Sequence, residues 1–94
     1  MREASVEEKF VDVIRDAGGS CIKLVPDNIK GFPDRMVILP GKPVMFVELK
    51  RPKGGRFHPL QLFWQEELRR LGVTVCTIKD FEEIDAFRRD YISA

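Results

Sequence analysis

The stretch PDRMVILPGKPVMFVELK, residues 33–50, decides the fold. It contains two mainly apolar runs, residues 34–39 and 44–50, which are joined by the turn sequence Pro40-Gly41-Lys42-Pro43. Apolar runs of this length on either side of a short turn rich in Pro and Gly predict an antiparallel hairpin. Three ionisable residues, Asp34, Glu48 and Lys50, stand at the ends of these runs. Because an unpaired buried carboxylate costs free energy, charges at such positions require a physical reason.

A divalent metal ion is one sufficient reason. Side chains two apart on a strand project to the same side, so Glu48 and Lys50 project together while Val47 and Leu49 face the packed side. Pairing in the hairpin brings Asp34 towards Glu48. Two converging carboxylates form an all-oxygen site that suits Mg²⁺ or Mn²⁺, and the backbone carbonyl of Leu49 is a further candidate ligand. With Lys50 to orient water or to stabilise charge on a phosphate, this set predicts phosphodiester hydrolysis.

The rest of the chain predicts three helices and two more strands. A helix begins at Ser5, a strand covers residues 21–25, and a second helix begins at Pro59. A strand at residues 73–78 and a helix capped by Asp80 follow, which gives the order αβββαβα. The predicted core stripe of the second helix is Leu60, Trp64, Leu68 and Leu71. A length of 94 residues accommodates one small domain.

Composition narrows the class of protein. The hydrophobic fraction of 44% is ordinary for a globular domain. There is no apolar run long enough to span a bilayer and no signal peptide, so we expect an intracellular protein without a membrane partner. Cys21 and Cys76 each lie in an apolar, strand-like stretch, which indicates reduced core thiols. With one histidine in the chain, a structural zinc site is disfavoured.

A basic segment follows the hairpin. Residues 50–58 contain four Lys and Arg residues and no acid. A solvated loop is the simpler interpretation, but the position directly after Lys50 favours a contact with nucleic-acid phosphates. The candidate DNA-binding residues are Arg51, Lys53, Arg56 and His58.

Two further residues are candidates for the site. Glu7 falls near the edge of the apolar stripe of the first helix, whereas Glu8 has the spacing of a capping box with Ser5. Glu7 is therefore preferred as an acid that reaches the metal, although an acid in the first turn also stabilises the helix dipole. If His58 is the N-cap of the second helix, Gln61 is its third residue. Gln61 then either caps the helix or approaches the metal and the phosphate.

The combination of Gly31-Phe32-Pro33-Asp34, Glu48-Leu49-Lys50 and residues 55–61 (GRFHPLQ) resembles the VRR-NUC domain. This is the virus-type replication-repair nuclease branch of the PD-(D/E)xK superfamily. The resemblance implies a restriction-endonuclease-like α/β fold over a single domain, residues 1–94. Its αβββαβ core is a mixed four-stranded sheet flanked by helices, and a C-terminal helix follows.

The resemblance also implies DNA cleavage that depends on Mg²⁺ or Mn²⁺. It makes Asp34 and Glu48 metal ligands, Lys50 the catalytic lysine, Gln61 the family's glutamine and Glu7 the acid of the first helix. His58 is a departure, since relatives tend to have Ser or Thr before this helix.

Family members that consist of the domain alone look like phage proteins and are similar to small dimeric enzymes that cut four-way (Holliday) junctions. Larger chains with this domain serve in the repair of DNA crosslinks. We therefore expect a homodimeric junction resolvase in the cytoplasm of a bacterial host. Leu62 and Phe63 lie off the core stripe of the second helix and are candidate interface residues, and the alternative for Phe63 is that it widens the buried face of this helix. Two alternatives remain: a nucleic-acid-binding module without turnover, and a nuclease for flaps, nicked duplex or RNA.

Overall fold

Helices and strands follow one another in the predicted order. The computed structural model describes residues 5–25, 28–50 and 58–93. In chain order the elements are α1 (Val6–Asp16), β1 (Ser20–Lys23), β2 (Arg35–Ile38), β3 (Met45–Leu49), α2 (Pro59–Arg70), β4 (Thr74–Ile78) and α3 (Phe81–Phe87), which continues into a π-helical turn (Arg88–Ile92). The helix starts are also as expected, because the side chains of Ser5 and Asp80 accept main-chain N–H bonds as N-caps.

The strands of the described residues form one mixed sheet in the order β1-β2-β3-β4. β2 is antiparallel to both β1 and β3, whereas β4 runs parallel to β3. The predicted hairpin and the predicted mixed four-stranded sheet are both confirmed. β2 begins one residue later than expected, at Arg35, because the Asp34 N–H donates to the Glu48 carboxylate and not to a strand carbonyl.

The main core lies on one face of the sheet, under α1 and α3. Phe10 and Phe87 meet there edge to face, with ring centroids 5.1 Å apart. The alternation of β3 places Val47 in this core, with Leu49 packed against it. The buried members of the cluster are Phe10, Val13, Ile14, Val37, Leu39, Met45, Val47, Ile78, Ile84 and Phe87. The residues of β3 that alternate with these, Glu48 among them, therefore point to the other face of the sheet, which α2 covers.

The helix α2 packs on the second face through its middle turns, and this corrects the predicted core stripe. Leu68 is buried as expected, but Leu60 and Leu71 are 39% and 61% exposed. Gln65 is buried instead and donates a hydrogen bond to the Thr77 hydroxyl. The predicted stripe includes both ends of the helix, since Leu60 lies in the first turn of α2 and Leu71 is its C-cap, whereas only the middle turns pack on the sheet. None of the helices in the described part of the chain is long and apolar enough to cross a membrane.

Candidate active site

Asp34 and Glu48 lie opposite each other where β2 and β3 meet. The register pairs Arg35 with Val47, so the next pair outward is Asp34 with Glu48. The Asp34 N–H donates to Glu48 Oε2 at 3.2 Å, and the Leu49 N–H donates to Asp34 Oδ1 at 3.1 Å. Each carboxylate is thus bound by the main chain of the other strand. The hairpin brings the two acids together as predicted.

The negative charges of the two carboxylates are not fully compensated by the groups around them. Burial and the nearby Asp34 carboxylate raise the pKa of Glu48 to about 7, although Lys50 acts in the opposite direction. Burial also raises the pKa of Asp34, and the hydrogen bond from Leu49 only partly opposes this. In physical terms, desolvation and like-charge repulsion disfavour the two charges together. A bound cation would relieve both effects.

Lys50 and Gln61 complete the hydrogen-bonded cluster around Glu48. Lys50 Nζ donates to Gln61 Oε1 at 2.7 Å and lies 3.9 Å from Glu48 Oε1. Gln61 Nε2 donates to Glu48 Oε1 at 2.9 Å. Gln61 therefore bridges the carboxylate and the ammonium, and its amide fixes the position of each relative to the other.

The start of α2 holds Gln61 in place. His58 is the N-cap of α2. Its ring Nδ1 accepts from the Leu60 N–H at 3.2 Å, and its main-chain N–H donates to Gln61 Oε1 at 2.8 Å. The imidazole thus acts as the cap acceptor, and His58 is the N-cap as predicted. The capping alternative for Gln61 is observed, and the same oxygen that accepts from the cap also accepts from Lys50, while a contact of Gln61 with a metal or a phosphate stays a prediction. The other predicted DNA-binding residues, Arg51, Lys53 and Arg56, lie outside the described residues.

Glu7 pairs with Arg35, and none of the hydrogen bonds described around Glu48 involves it. Its Oε1 is 3.4 Å from Arg35 Nη2, and its side chain is 47% exposed. The charge of Glu7 still contributes to the raised pKa of Asp34. Within the described residues no group of three or more His, Cys, Asp or Glu side chains is arranged to hold a metal ion. A cation bound by Asp34 and Glu48 would therefore need main-chain, water or substrate oxygens as well.

Among the residues that the structure describes, Arg35 lies near the site although the sequence pattern did not single it out. Its side chain is 10% exposed, and its Nε is buried with no hydrogen-bond partner among the described residues. Strand alternation could have predicted its position, because the residue after Asp34 must face the α1 side of the sheet. A buried cation on that side requires an acidic partner. Glu7, at the edge of the α1 stripe, supplies that acid.

The donor set fits a hard divalent cation. Asp34 and Glu48 offer carboxylate oxygens, and the Leu49 carbonyl is adjacent in sequence to Glu48. Neither cysteine belongs to the cluster around Glu48. Oxygen ligands of this kind suit Mg²⁺ and Mn²⁺ better than softer metals.

Comparison with known proteins agrees with this architecture. A solved structure of a VRR_NUC domain superimposes with a TM-score of 0.84 at 30% sequence identity, and the match covers 92% of each chain. "Putative nuclease p44" of Acyrthosiphon pisum secondary endosymbiont phage 1 is 38% identical over 78 residues, which is 83% of each sequence. No family model matches the chain.

These likenesses confirm the predicted class, a nuclease with the restriction-endonuclease-like α/β fold. The chain belongs to the VRR-NUC family of nucleases.

Proposed function

We propose that this protein is a metal-dependent endonuclease that hydrolyses DNA phosphodiester bonds, and that residues 1–94 act as a single nuclease domain. The observation that carries the proposal is the reciprocal hydrogen bonding of Asp34 and Glu48 beside Lys50 and Gln61. Burial disfavours the charged form of both carboxylates, and a cation bound between them would offset this cost.

In this proposal Asp34, Glu48 and the Leu49 carbonyl would hold Mg²⁺ or Mn²⁺. The chemistry supplied at these residues when the ion is bound would be polarisation of the phosphodiester and a lower pKa of bound water. Lys50 supplies a positive charge next to the reacting phosphate, where it stabilises negative charge that develops during cleavage. Gln61 holds the Lys50 ammonium and the Glu48 carboxylate in fixed positions relative to each other. Glu7 serves as an additional acid at the edge of the site.

The proposed substrate is branched DNA, with the four-way junction as its first candidate. Arg51, Lys53, Arg56 and His58 are the proposed phosphate contacts, since they follow Lys50 directly in the chain. A homodimer would match the two-fold symmetry of a junction with two sites. Leu62 and Phe63, which are 47% and 51% exposed on α2, are the proposed interface residues. The phage relative supports action in the cytoplasm of a bacterial host.

The experiment is a comparison of end-labelled four-way junctions, flaps, nicked duplex, intact duplex and single-stranded RNA. Each is incubated with the protein in Mg²⁺, in Mn²⁺ and in EDTA. We expect cutting of the junction in either metal and none in EDTA. Binding without cutting in every condition would favour a non-catalytic module, and faster cutting of flaps, nicked duplex or RNA would replace the junction as substrate.

Light scattering at several protein concentrations tests the dimer separately. We expect the mass of two chains, and we expect Phe63→Glu to reduce it to the mass of one chain because a charge in an apolar interface is costly. A wild-type protein that remains a monomer would remove the dimer from the proposal without affecting the chemistry.

A further inference from the structure

Gly31 lies where the segment leading to Asp34 touches the first turn of α2. Its φ is +85°, in the left-handed region that side chains rarely adopt. A Cβ at this position would lie 2.6 Å from both the carbonyl carbon and the Cβ of Leu60, and 2.8 Å from the main-chain nitrogen of Gln61. These separations are well inside van der Waals contact. Since the obstructing atoms are main chain and Cβ, no side-chain rotation relieves them.

The segment that follows Gly31 is firmly held. The Phe32 ring contacts Phe46 of β3, with centroids 5.3 Å apart, and also Trp64 of α2, which lies beyond the first turn of that helix, at 5.4 Å. Pro33 is fully buried, and the Asp34 carbonyl accepts from the Leu24 N–H at 2.8 Å. By contrast, the residues that begin α2, His58 to Leu60, are all exposed. A methyl group at position 31 would therefore displace the start of α2 and leave Asp34 in place.

Gln61 is the site residue that such a displacement would move. Its side-chain oxygen accepts from Lys50 Nζ and from the His58 N–H, and its amide nitrogen donates to Glu48. All three bonds depend on where the first turn of α2 lies relative to β3. A shift approaching 1 Å is enough to lose bonds of this length.

We propose that Gly31 is a positioning residue: the absence of a side chain lets the first turn of α2 approach the Asp34 segment, and this approach places Gln61 between Lys50 and Glu48. The inference rests on the proposed function, since it links Gly31 to cleavage through Gln61.

Gly72 provides a matched control for the substitution. It has the same φ of +85°, but among the described residues nothing lies within 4 Å of a Cβ built there. Gly31→Ala and Gly72→Ala thus introduce the same backbone strain, and only Gly31→Ala also introduces the contact with α2. Thermal melting of both variants comes first, and we expect both to be folded at the assay temperature.

Single-turnover cleavage of a four-way junction in Mn²⁺ is the functional measurement. Misplacement by about 1 Å can lower a rate by about 100-fold, so we expect Gly31→Ala to cut about 10- to 100-fold more slowly, and Gly72→Ala to match the wild type. If Gly31 acts through Gln61, the double variant Gly31→Ala/Gln61→Ala cuts no more slowly than Gln61→Ala. Rate losses that multiply in the double variant would overturn the proposal.

A metal-free ¹H–¹⁵N spectrum provides a readout that is independent of activity. We expect the side-chain amide of Gln61 and the main-chain amide of His58 to shift in Gly31→Ala and not in Gly72→Ala. Unchanged Gln61 resonances in Gly31→Ala would overturn the inference. Loss of folding in Gly31→Ala alone would do so too, because the contact would then support the fold and not the site. A wild-type protein that cuts no DNA would instead refute the proposed function, and the spectrum would still decide the role of Gly31.

Discussion

Asp34 and Glu48 are joined by exchanged hydrogen bonds, since the main chain at Asp34 donates to the Glu48 carboxylate while the main chain at Leu49 donates to the Asp34 carboxylate. The exchange fixes both side chains without neutralising either of them. Main-chain donors favour the charged form of a carboxylate, yet burial outweighs them here and the pKa of each acid is raised. The hairpin therefore holds two acids together at a free-energy cost that a cation would offset.

The first prediction concerns metal binding by Glu48. Glu48→Gln keeps the shape of the side chain and one oxygen acceptor but removes the charge, so we expect the fold to survive. Mn²⁺ affinity should fall by about 100-fold or more, beyond the loss typical of residues that only support a ligand. Titration calorimetry of both proteins measures this, and near-equal Mn²⁺ affinities would show that Glu48 is not a ligand.

The second prediction concerns the pH dependence of the metal-free protein. The pKa of Glu48 is about 7 in the folded state, against an ordinary value of 4.5. Between these values the folded protein binds more protons at this position than the unfolded chain does. The free energy of unfolding should therefore fall as the pH rises through this window. The raised pKa of Asp34 acts in the same direction.

Urea unfolding in EDTA between about pH 4.5 and pH 8 tests the sign. Glu48→Gln should weaken the dependence, and at the upper end of the range the variant should be more stable than the wild type. Mn²⁺ affinity should rise over the same range, because the ion competes with a proton for Glu48. A wild type that loses no stability with rising pH, relative to Glu48→Gln, would contradict the assignment.

The hairpin part of the site was predictable because short-range rules determine it. The turn at residues 40–43 sets the register of β2 and β3, and strand alternation then places Glu48 on one face and Val47 on the other. Asp34 follows from the same register, since it is the next residue outward from a paired Arg35. No information from distant parts of the chain was needed.

The α2 part of the site was only partly predictable. Helical periodicity and capping rules place Gln61 in the first turn, but they do not say that this turn lies against the Gly31 segment. The same lack of information explains the error at Leu60 and Leu71, because periodicity does not reveal where a helix leaves the sheet. Gln65 was missed because its burial depends on one partner, Thr77, on β4.

The third prediction separates Gln61 from a structural glutamine on the same helix. Gln61→Ala removes the bridge between Lys50 and Glu48 and the bond to the His58 cap, so cleavage should slow by about 10- to 100-fold and stability should fall by about 1 kcal/mol. Gln65 is the matched control, one turn further along α2 and buried against Thr77. Gln65→Ala should cost about 1 kcal/mol of stability and leave the cleavage rate unchanged.

Single-turnover rates and urea unfolding of the two variants decide this comparison. Equal rate losses in both variants would mean that disturbance of α2 in general, and not the bridge, slows the enzyme. A normal rate in Gln61→Ala would remove Gln61 from the site.

The fourth prediction concerns Glu7 and the buried guanidinium of Arg35. Since the Glu7 carboxylate pairs with the buried Arg35 guanidinium, Glu7→Gln leaves that charge without its acid and should cost about 1 to 3 kcal/mol of stability. Mn²⁺ affinity should fall by less than about 10-fold, because the carboxylate is not part of the Asp34–Glu48 exchange. The cleavage rate should fall by about 10-fold if Glu7 is the additional acid at the site. Glu8→Gln, which changes the neighbouring exposed acid in the first turn of α1, is the control and should leave both affinity and rate unchanged.

Arg35→Met tests whether Arg35 keeps Glu7 near the site. Replacing a buried charge that lacks a full set of partners by an apolar side chain of similar length is often neutral or stabilising, so the variant should melt at or above the wild-type temperature. Its cleavage rate should nevertheless fall to that of Glu7→Gln, because Glu7 is no longer held by an ion pair. A Glu7→Gln protein that no longer binds Mn²⁺ would instead make Glu7 a direct ligand. An Arg35→Met protein with full activity would show that the ion pair does not position Glu7.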